Sequence, residues 1–303
     1  MVKNIGIIGY SVGNGHPYSF SAIINGYDSD AFLELEWPGI LGYLQLRKPS
    51  EFGIPNMNIS HVWMPDTNMA NKLAKACHVK KTVKKTTDMI SEVDGVIIAR
   101  DDAQSHLEIA RPFLEAGKFV FIDKPLTLTL SELDYFLPFV DSSQLMTCAG
   151  YRYAIELEPM RKGFSDFGDI HSIHLVAPLD WEKYGIHMLD AFFSFSEARP
   201  RTIQKLASNH AAFSLEMSDR SVVSIHCQGT GVTPNFHVSV FGSNKSMTIR
   251  LQDNFSAFKA LLTDFSNMIN HQIQPIPTQD VELSIRTIIA GSTAEKTNST
   301  ITI

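Results

Sequence analysis

The chain is poor in the features that mark several large classes of protein. Its 303 residues hold only three cysteines, Cys77, Cys148 and Cys227. They are too few and too scattered for a disulfide framework, and no C-x-x-C pair exists to start a zinc site. A reduced, cytoplasmic setting is therefore expected, with no metal. No apolar run approaches the ~18 residues of a membrane helix. The start, Met1-Val2-Lys3-Asn4-Ile5-Gly6-Ile7-Ile8-Gly9, lacks the cationic lead and long apolar core of a signal peptide. Positive charge is short as well: 26 Lys and Arg against 32 Asp and Glu leave a formal net charge of -6. No broad basic field is left to draw nucleic acid or an anionic membrane. Repeats, low-complexity tracts and flexible linkers are missing too.

What is present is a globular composition, 44% hydrophobic and 19% charged, at a length that suits two domains of roughly 100–200 residues. Ile5 to Ile8 reads as a buried strand. Gly9-Tyr10-Ser11-Val12-Gly13-Asn14-Gly15-His16-Pro17 is a glycine-rich loop, and Pro17 suits the first turn of the helix that follows. Strand, glycine loop and helix form the setting of a dinucleotide fingerprint, whose pyrophosphate sits on helix N–H groups. The register is irregular, with Ser11 and Asn14 where the second and third glycines belong. Residues 28–58 are aromatic and proline-rich without periodicity. Their hydrophobicity argues for a packed insertion, either a cover for the sheet edge or a lid over a ligand. His61 to Asp66 is the next strand. Asp66 stands where an acid takes the adenosine ribose hydroxyls, and also where a residue caps the next helix. No arginine follows to meet a 2′-phosphate, so NAD is favoured and NADP remains open.

Further strand–helix alternation leads through Gly95–Ala99, ending in Arg100-Asp101-Asp102, and a helix from Ser105 to Ala116. It reaches Phe119-Val120-Phe121-Ile122-Asp123-Lys124-Pro125. Such alternation implies right-handed βαβ units in a doubly wound parallel sheet. Lys124, at a strand's carboxyl end, is placed to meet a cofactor or substrate oxygen, unless it is a solvated strand end. Beyond Pro125 strands dominate: 170–177, 202–208, 210–217, 221–228, 235–242 and 246–251. Ser218-Asp219-Arg220 is a hairpin connection. Helices are expected at 131–140, 184–195, 255–269 and 280–291. The expected division is a Rossmann-type domain over 1–125 with its insertion at 28–58, then an α+β domain on a mostly antiparallel sheet over 126–303.

These residues resemble the Gfo/Idh/MocA oxidoreductases, relatives of glucose–fructose oxidoreductase and inositol dehydrogenase, along nearly the whole chain. Asp123-Lys124-Pro125 is similar to the family's Glu-Lys-Pro signature, and His106 with Phe113 to Lys118 to the segment before it. Tyr184-Gly185-Ile186-His187-Met188-Leu189-Asp190 resembles its G-x-H-x-x-D helix. The chain departs from the pattern at Lys183, where an aspartate is usual, and at Arg100-Asp101, where Thr-Pro is usual. The loop Gly13 to Pro17 and the insertion look most like members from surface-carbohydrate and sialic-acid-like sugar pathways.

The resemblance implies an NAD(P)-dependent dehydrogenase or reductase acting on CH–OH groups of a sugar, cyclic polyol or sugar derivative. Histidine titrates nearest working pH, so His187 would take the hydroxyl proton while Lys124 steadies the alkoxide. Cofactor contacts are expected from Gly9, Tyr10, Ser11, Gly13, Asn14, Gly15, His16, Asp66, Arg100, Asp101, His106, Asp123 and Lys124. Substrate contacts are expected from Lys124, Tyr151, Arg152, Lys183, Tyr184 and His187. For His106 a structural role stands beside the cofactor role, for Tyr151 and Arg152 a packing role, and for Lys183 simple solvation. By the same resemblance a homo-oligomer, dimer or tetramer, is expected. A cofactor-binding regulator without turnover is the alternative, favoured by Lys183 and the irregular loop.

Overall fold

The computed structural model describes residues 2–303. In chain order, β1 (Lys3–Ile8) leads to α1 (His16–Asn25), then α2 (Ser29–Leu33), α3 (Pro38–Gln45), β2 (Met57–Trp63), α4 (Thr67–Ala76) and β3 (Lys81–Thr82). There follow β4 (Gly95–Ile98), α5 (His106–Glu115), β5 (Phe119–Ile122), α6 (Leu130–Asp141), β6 (Leu145–Thr147) and α7 (Glu158–Gly163). Next come β7 (Ile170–Ala177), a π-helical turn (Trp181–Gly185) running into α8 (Ile186–Phe193), β8 (Pro200–Lys205) and β9 (Ala211–Met217). The chain closes with β10 (Val222–Cys227), β11 (His237–Gly242), β12 (Ser246–Arg250), α9 (Asn254–His271), α10 (Thr278–Thr297) and β13 (Ile301–Thr302).

The chain forms two compact units. The first holds residues 2–126, 134–147 and 258–276; the second holds 127–133, 148–257 and 277–303. These are not the two contiguous stretches, 1–125 and 126–303, expected from the sequence.

In the first unit six strands lie in the order β3-β2-β1-β4-β5-β6, all parallel. This is the doubly wound order, in which ligands bind beyond the carboxyl ends where the order reverses, here between β1 and β4. β4 (GVII) and β5 (FVFI) are apolar throughout because both faces are covered. Gly6 in β1 is a close-approach glycine, since an added Cβ would lie 2.2 Å from Met89 Sδ. β6 was expected in the second domain, but its Leu145 and Met146 are fully buried beside β5 and complete this sheet. The C-terminal part of α9 also returns here. Phe258 meets Phe20 at 5.2 Å and Phe265 meets Phe121 at 5.8 Å between ring centroids. Shared burial of these rings decides the membership, and nothing local in the sequence announces it.

The insertion 28–58 packs as two short helices and a 3-10 turn at Pro49–Glu51, and its last two residues already belong to β2. Asp28 caps α2 through the Ala31 N–H, and α3 buries Ile40, Leu41 and Leu44. In the second unit seven strands run β12-β11-β7-β10-β9-β8-β13. Only β7 and β10 pair in parallel; the other neighbours are antiparallel. The β9–β10 hairpin turns at 218–220 as expected, with Arg220 at φ 69° and Asp219 accepting the Ser221 N–H.

Candidate active site

In the first unit the carboxyl ends of β1, β4 and β5 are tied together by side chains. Asp123, directly after β5, is 2% exposed. Its Oδ2 meets His16 Nδ1 at 2.6 Å and accepts Asn14 Nδ2 at 3.0 Å, and its Oδ1 accepts the Lys124 N–H at 2.9 Å. Burial alone would raise the Asp123 pKa, but His16, Lys124 and Asn14 together hold it down at about 2. The aspartate is therefore an anion that fixes the main chain of the next residue. Lys124 itself is 4% exposed, so it is not a solvated strand end.

The irregular glycine loop has a physical account. Ser11, at the second glycine position, donates to Asp101 Oδ1 at 2.6 Å and accepts the Asp101 N–H at 3.0 Å. Arg100 adds a bond to the Tyr10 carbonyl at 2.9 Å while its guanidinium grips Asp102. Asn14, at the third position, reaches Asp123. Side-chain ties thus do the work that glycine turns do elsewhere. The glycines that remain are needed. Gly9 faces Pro17 at 2.9 Å from an added Cβ, and Gly15 faces Ile40 and Trp37 of the insertion at 2.5 and 2.8 Å. Gly13 has φ +83° with open space over it, a conformation that glycine adopts without strain.

His106 is fully buried, and its Nδ1 and Nε2 lie 3.0 Å from the Leu126 and Arg100 carbonyl oxygens. Burial lowers its pKa. Both nitrogens face main-chain carbonyls, to one of which a neutral ring donates, and this sets the ring between the loops after β4 and β5. Asp66 is exposed and caps α4, accepting the Asn68 N–H through Oδ1 at 2.8 Å. That engages one carboxylate oxygen in a cap. The donor set suits a dinucleotide: an open glycine turn at the end of β1, a helix start at Gly15 without a side-chain cap, and an acid beyond β2.

In the second unit His187, 7% exposed, is enclosed by aromatic rings. Tyr151, Tyr184 and Phe236 stand at centroid distances of 5.7, 5.6 and 5.5 Å. Tyr151 packs on Phe236 at 4.5 Å, and its hydroxyl donates to Asn254 Oδ1 at 2.8 Å. Asp190, one turn after His187, accepts the Ala149 N–H at 2.6 Å and the Ser284 hydroxyl at 2.7 Å. Through those bonds it anchors α8 to the turn that carries Tyr151.

Arg152 points elsewhere. Its guanidinium donates to Asp280 at 2.7 Å, and Asp280 also takes Arg199 at 3.1 Å. These bonds give the buried Asp280 carboxylate the charge it requires. Lys183 is half-buried, its N–H donating to Asp180 in the cap of the π-helical turn. Sequence reasoning missed Phe236 and Asn254. Phe236 follows the glycine- and proline-rich segment 228–235 and Asn254 opens α9, so neither stands in a pattern with His187.

Residues 38–151 match the model of an oxidoreductase family described as Gfo/Idh/MocA with an NAD-binding Rossmann fold. No curated protein matches the chain. Among solved structures, myo-inositol 2-dehydrogenase from Lactobacillus plantarum aligns at TM-score 0.80 with 17% identity, covering 100% of both chains. The scyllo-inositol dehydrogenase from Lactobacillus casei with NAD(H) and scyllo-inositol gives 0.76 and 15%, covering 100% of this chain and 99% of that one. The myo-inositol dehydrogenase of the same organism, with NAD(H) and myo-inositol, gives 0.77 and 12%, covering 100% and 97%. Residues 38–151 thus match the NAD-binding Rossmann-fold model of that family, and the chain as a whole shares the fold of these solved dehydrogenases.

Proposed function

We propose that the protein is an NAD-dependent oxidoreductase acting on a secondary alcohol or ketone of a sugar, cyclic polyol or sugar derivative. The observation that carries this reading is Lys124. It is a lysine 4% exposed, at the carboxyl end of β5 in an NAD-binding sheet, with its main chain held by the anionic Asp123.

The bound nicotinamide would supply or accept the hydride. Lys124 would donate to the reacting oxygen and favour its alkoxide form, and His187 would take or return the hydroxyl proton. Tyr151 and Tyr184 would flank the substrate beside His187. Asp66, with its second carboxylate oxygen, would take the adenosine ribose hydroxyls, and the Gly9–His16 loop would carry the pyrophosphate. Two relatives of the same fold were solved with inositols, which supports a cyclic polyol or sugar as substrate class.

The reading extends to a cytoplasmic homo-oligomer. The β7–β10–β11 face opposite the buried Ile173, Leu175, Ile225 and Val240 shows Phe241 at 40% and Val222 at 43% exposure, apolar surface suited to a second copy. Among the described residues no helix is long and apolar enough to cross a membrane. Calorimetric titration with NAD tests the cofactor half of the reading: a measurable heat of binding is expected, and no binding at millimolar NAD would overturn it.

A further inference from the structure

Beside His187 stands one polar side chain that the proposed reaction leaves unused. Asn254 opens α9 and is half-buried. Its Oδ1 accepts the Tyr151 hydroxyl at 2.8 Å, and Tyr151 packs against the His187 ring at 5.7 Å between centroids. That bond orients the amide, because the edge turned to Tyr151 is the carbonyl oxygen and the other edge is the donor. The Nδ2 donor forms no hydrogen bond among the described residues, and it is not sealed from solvent.

The mount of this donor is held from several sides. Glu156 Oε1 accepts the Gln252 and Asp253 N–H groups at 2.8 and 2.9 Å. Asp253 in turn accepts the Ser256 N–H at 3.0 Å and the Ser256 hydroxyl at 2.7 Å. The Leu251 N–H donates to the Phe236 carbonyl at 2.9 Å, which ties the segment before Asn254 to the ring that packs on Tyr151. A donor fixed in this way loses little freedom when a ligand arrives.

A substrate hydroxyl both donates and accepts, and Tyr151 with Asn254 offers the matching set. The Tyr151 proton is committed to Asn254, so towards a ligand its oxygen accepts, while Asn254 Nδ2 donates. We propose that Asn254 and Tyr151 together recognise the substrate hydroxyl on the carbon next to the one that reacts at His187. The preferred substrate is then a vicinal diol of a sugar or cyclic polyol, not an isolated secondary alcohol. The inference rests on the dehydrogenase reading above and deepens it. Because Tyr151 packs against His187, the hydroxyl that this pair reads is the near neighbour of the reacting one. A ligand lacking it would cover the Asn254 donor unmatched, which is how a polar site rejects a deoxy analogue.

The test is equilibrium titration of the full chain, saturated with NAD, with D-glucose, D-galactose and trans-1,2-cyclohexanediol. Each is paired with the probe that lacks one hydroxyl: 2-deoxy-D-glucose, 2-deoxy-D-galactose and cyclohexanol. Wild type is expected to bind the diol of at least one pair about tenfold more tightly than its partner, the size of one hydrogen bond. Asn254→Ala should lose that preference by weakening for the diol, with the affinity for the deoxy partner unmoved. Asn254→Asp keeps the size of the side chain and its bond from Tyr151 but removes the donor, so it should lose the preference too, even if the alanine variant folds poorly. Tyr151→Phe should lose part of it. Equal weakening for both members of a pair in the Asn254 variants, or an unchanged preference, would overturn the inference alone. So would a wild type that binds both members equally in every pair. Binding of NAD with no binding of any of these probes would overturn the sugar reading and the subsite with it.

Discussion

At the scale of single residues, the account turns on groups whose charge state the fold has fixed. Asp123 has its pKa lowered from 3.8 to about 2, so the unfolded chain binds a proton more readily than the folded one. Its contribution, about 2 kcal/mol, is fully present above pH ~4 and is lost as the pH falls towards 2. Urea unfolding of Asp123→Asn between pH 2 and 5 should show a flatter pH dependence than wild type; identical slopes would contradict the ion-pair role. His106 has the opposite charge logic. Burial lowers its pKa, so below pH ~6.5 the unfolded chain takes up a proton that the folded one refuses. Stability should fall as pH drops through that value, and His106→Gln should remove that part of the slope.

Lys124 was legible from its strand-end setting, and His187 from its resemblance to a motif. The ring enclosure around His187 was not, since Phe236 is 49 residues away in sequence and shares no periodicity with it. Arg152 could not be assigned from the sequence because its partner, Asp280, lies 128 residues on.

At the scale of elements, strands and helices were read well wherever burial leaves a local pattern. β7 was placed at 170–177, where the structure has it. By its glycines alone the loop is irregular, whereas Ser11 and Asn14 hold it by side-chain bonds to Asp101 and Asp123. The insertion, which lacked periodicity, consists of short helices whose Trp37 and Ile40 press on Gly15. Gly15→Ala would force overpacking there, for which about 1–3 kcal/mol of destabilisation is expected. Trp37→Ala should in turn loosen the loop. The expected outcome, read by titration, is weaker NAD binding together with a lower unfolding midpoint. A Trp37→Ala protein that binds NAD as tightly as wild type would confine the insertion to packing.

At the scale of the whole molecule, the fold class was legible and the membership of its parts was not. β6 and the C-terminal part of α9 joined the first unit through burial against β5 and α1, contacts that span more than a hundred residues for α9. The proposed mechanism draws one residue from each unit, Lys124 from the first and His187 from the second. Each acts in the transition state in this account. Lys124→Ala and His187→Ala should therefore lower kcat and kcat/KM together while NAD affinity stays nearly constant. The double variant should be less impaired than the product of the single losses.

The central claim is tested most directly by following the reduced nicotinamide spectroscopically as wild type and His187→Ala meet NAD and a panel of inositols and pyranoses. Turnover by wild type on at least one of them, and a loss of ~10²-fold or more in the variant, is the predicted result. Tight NAD binding without turnover on any of them, or equal rates for the two proteins, would contradict it.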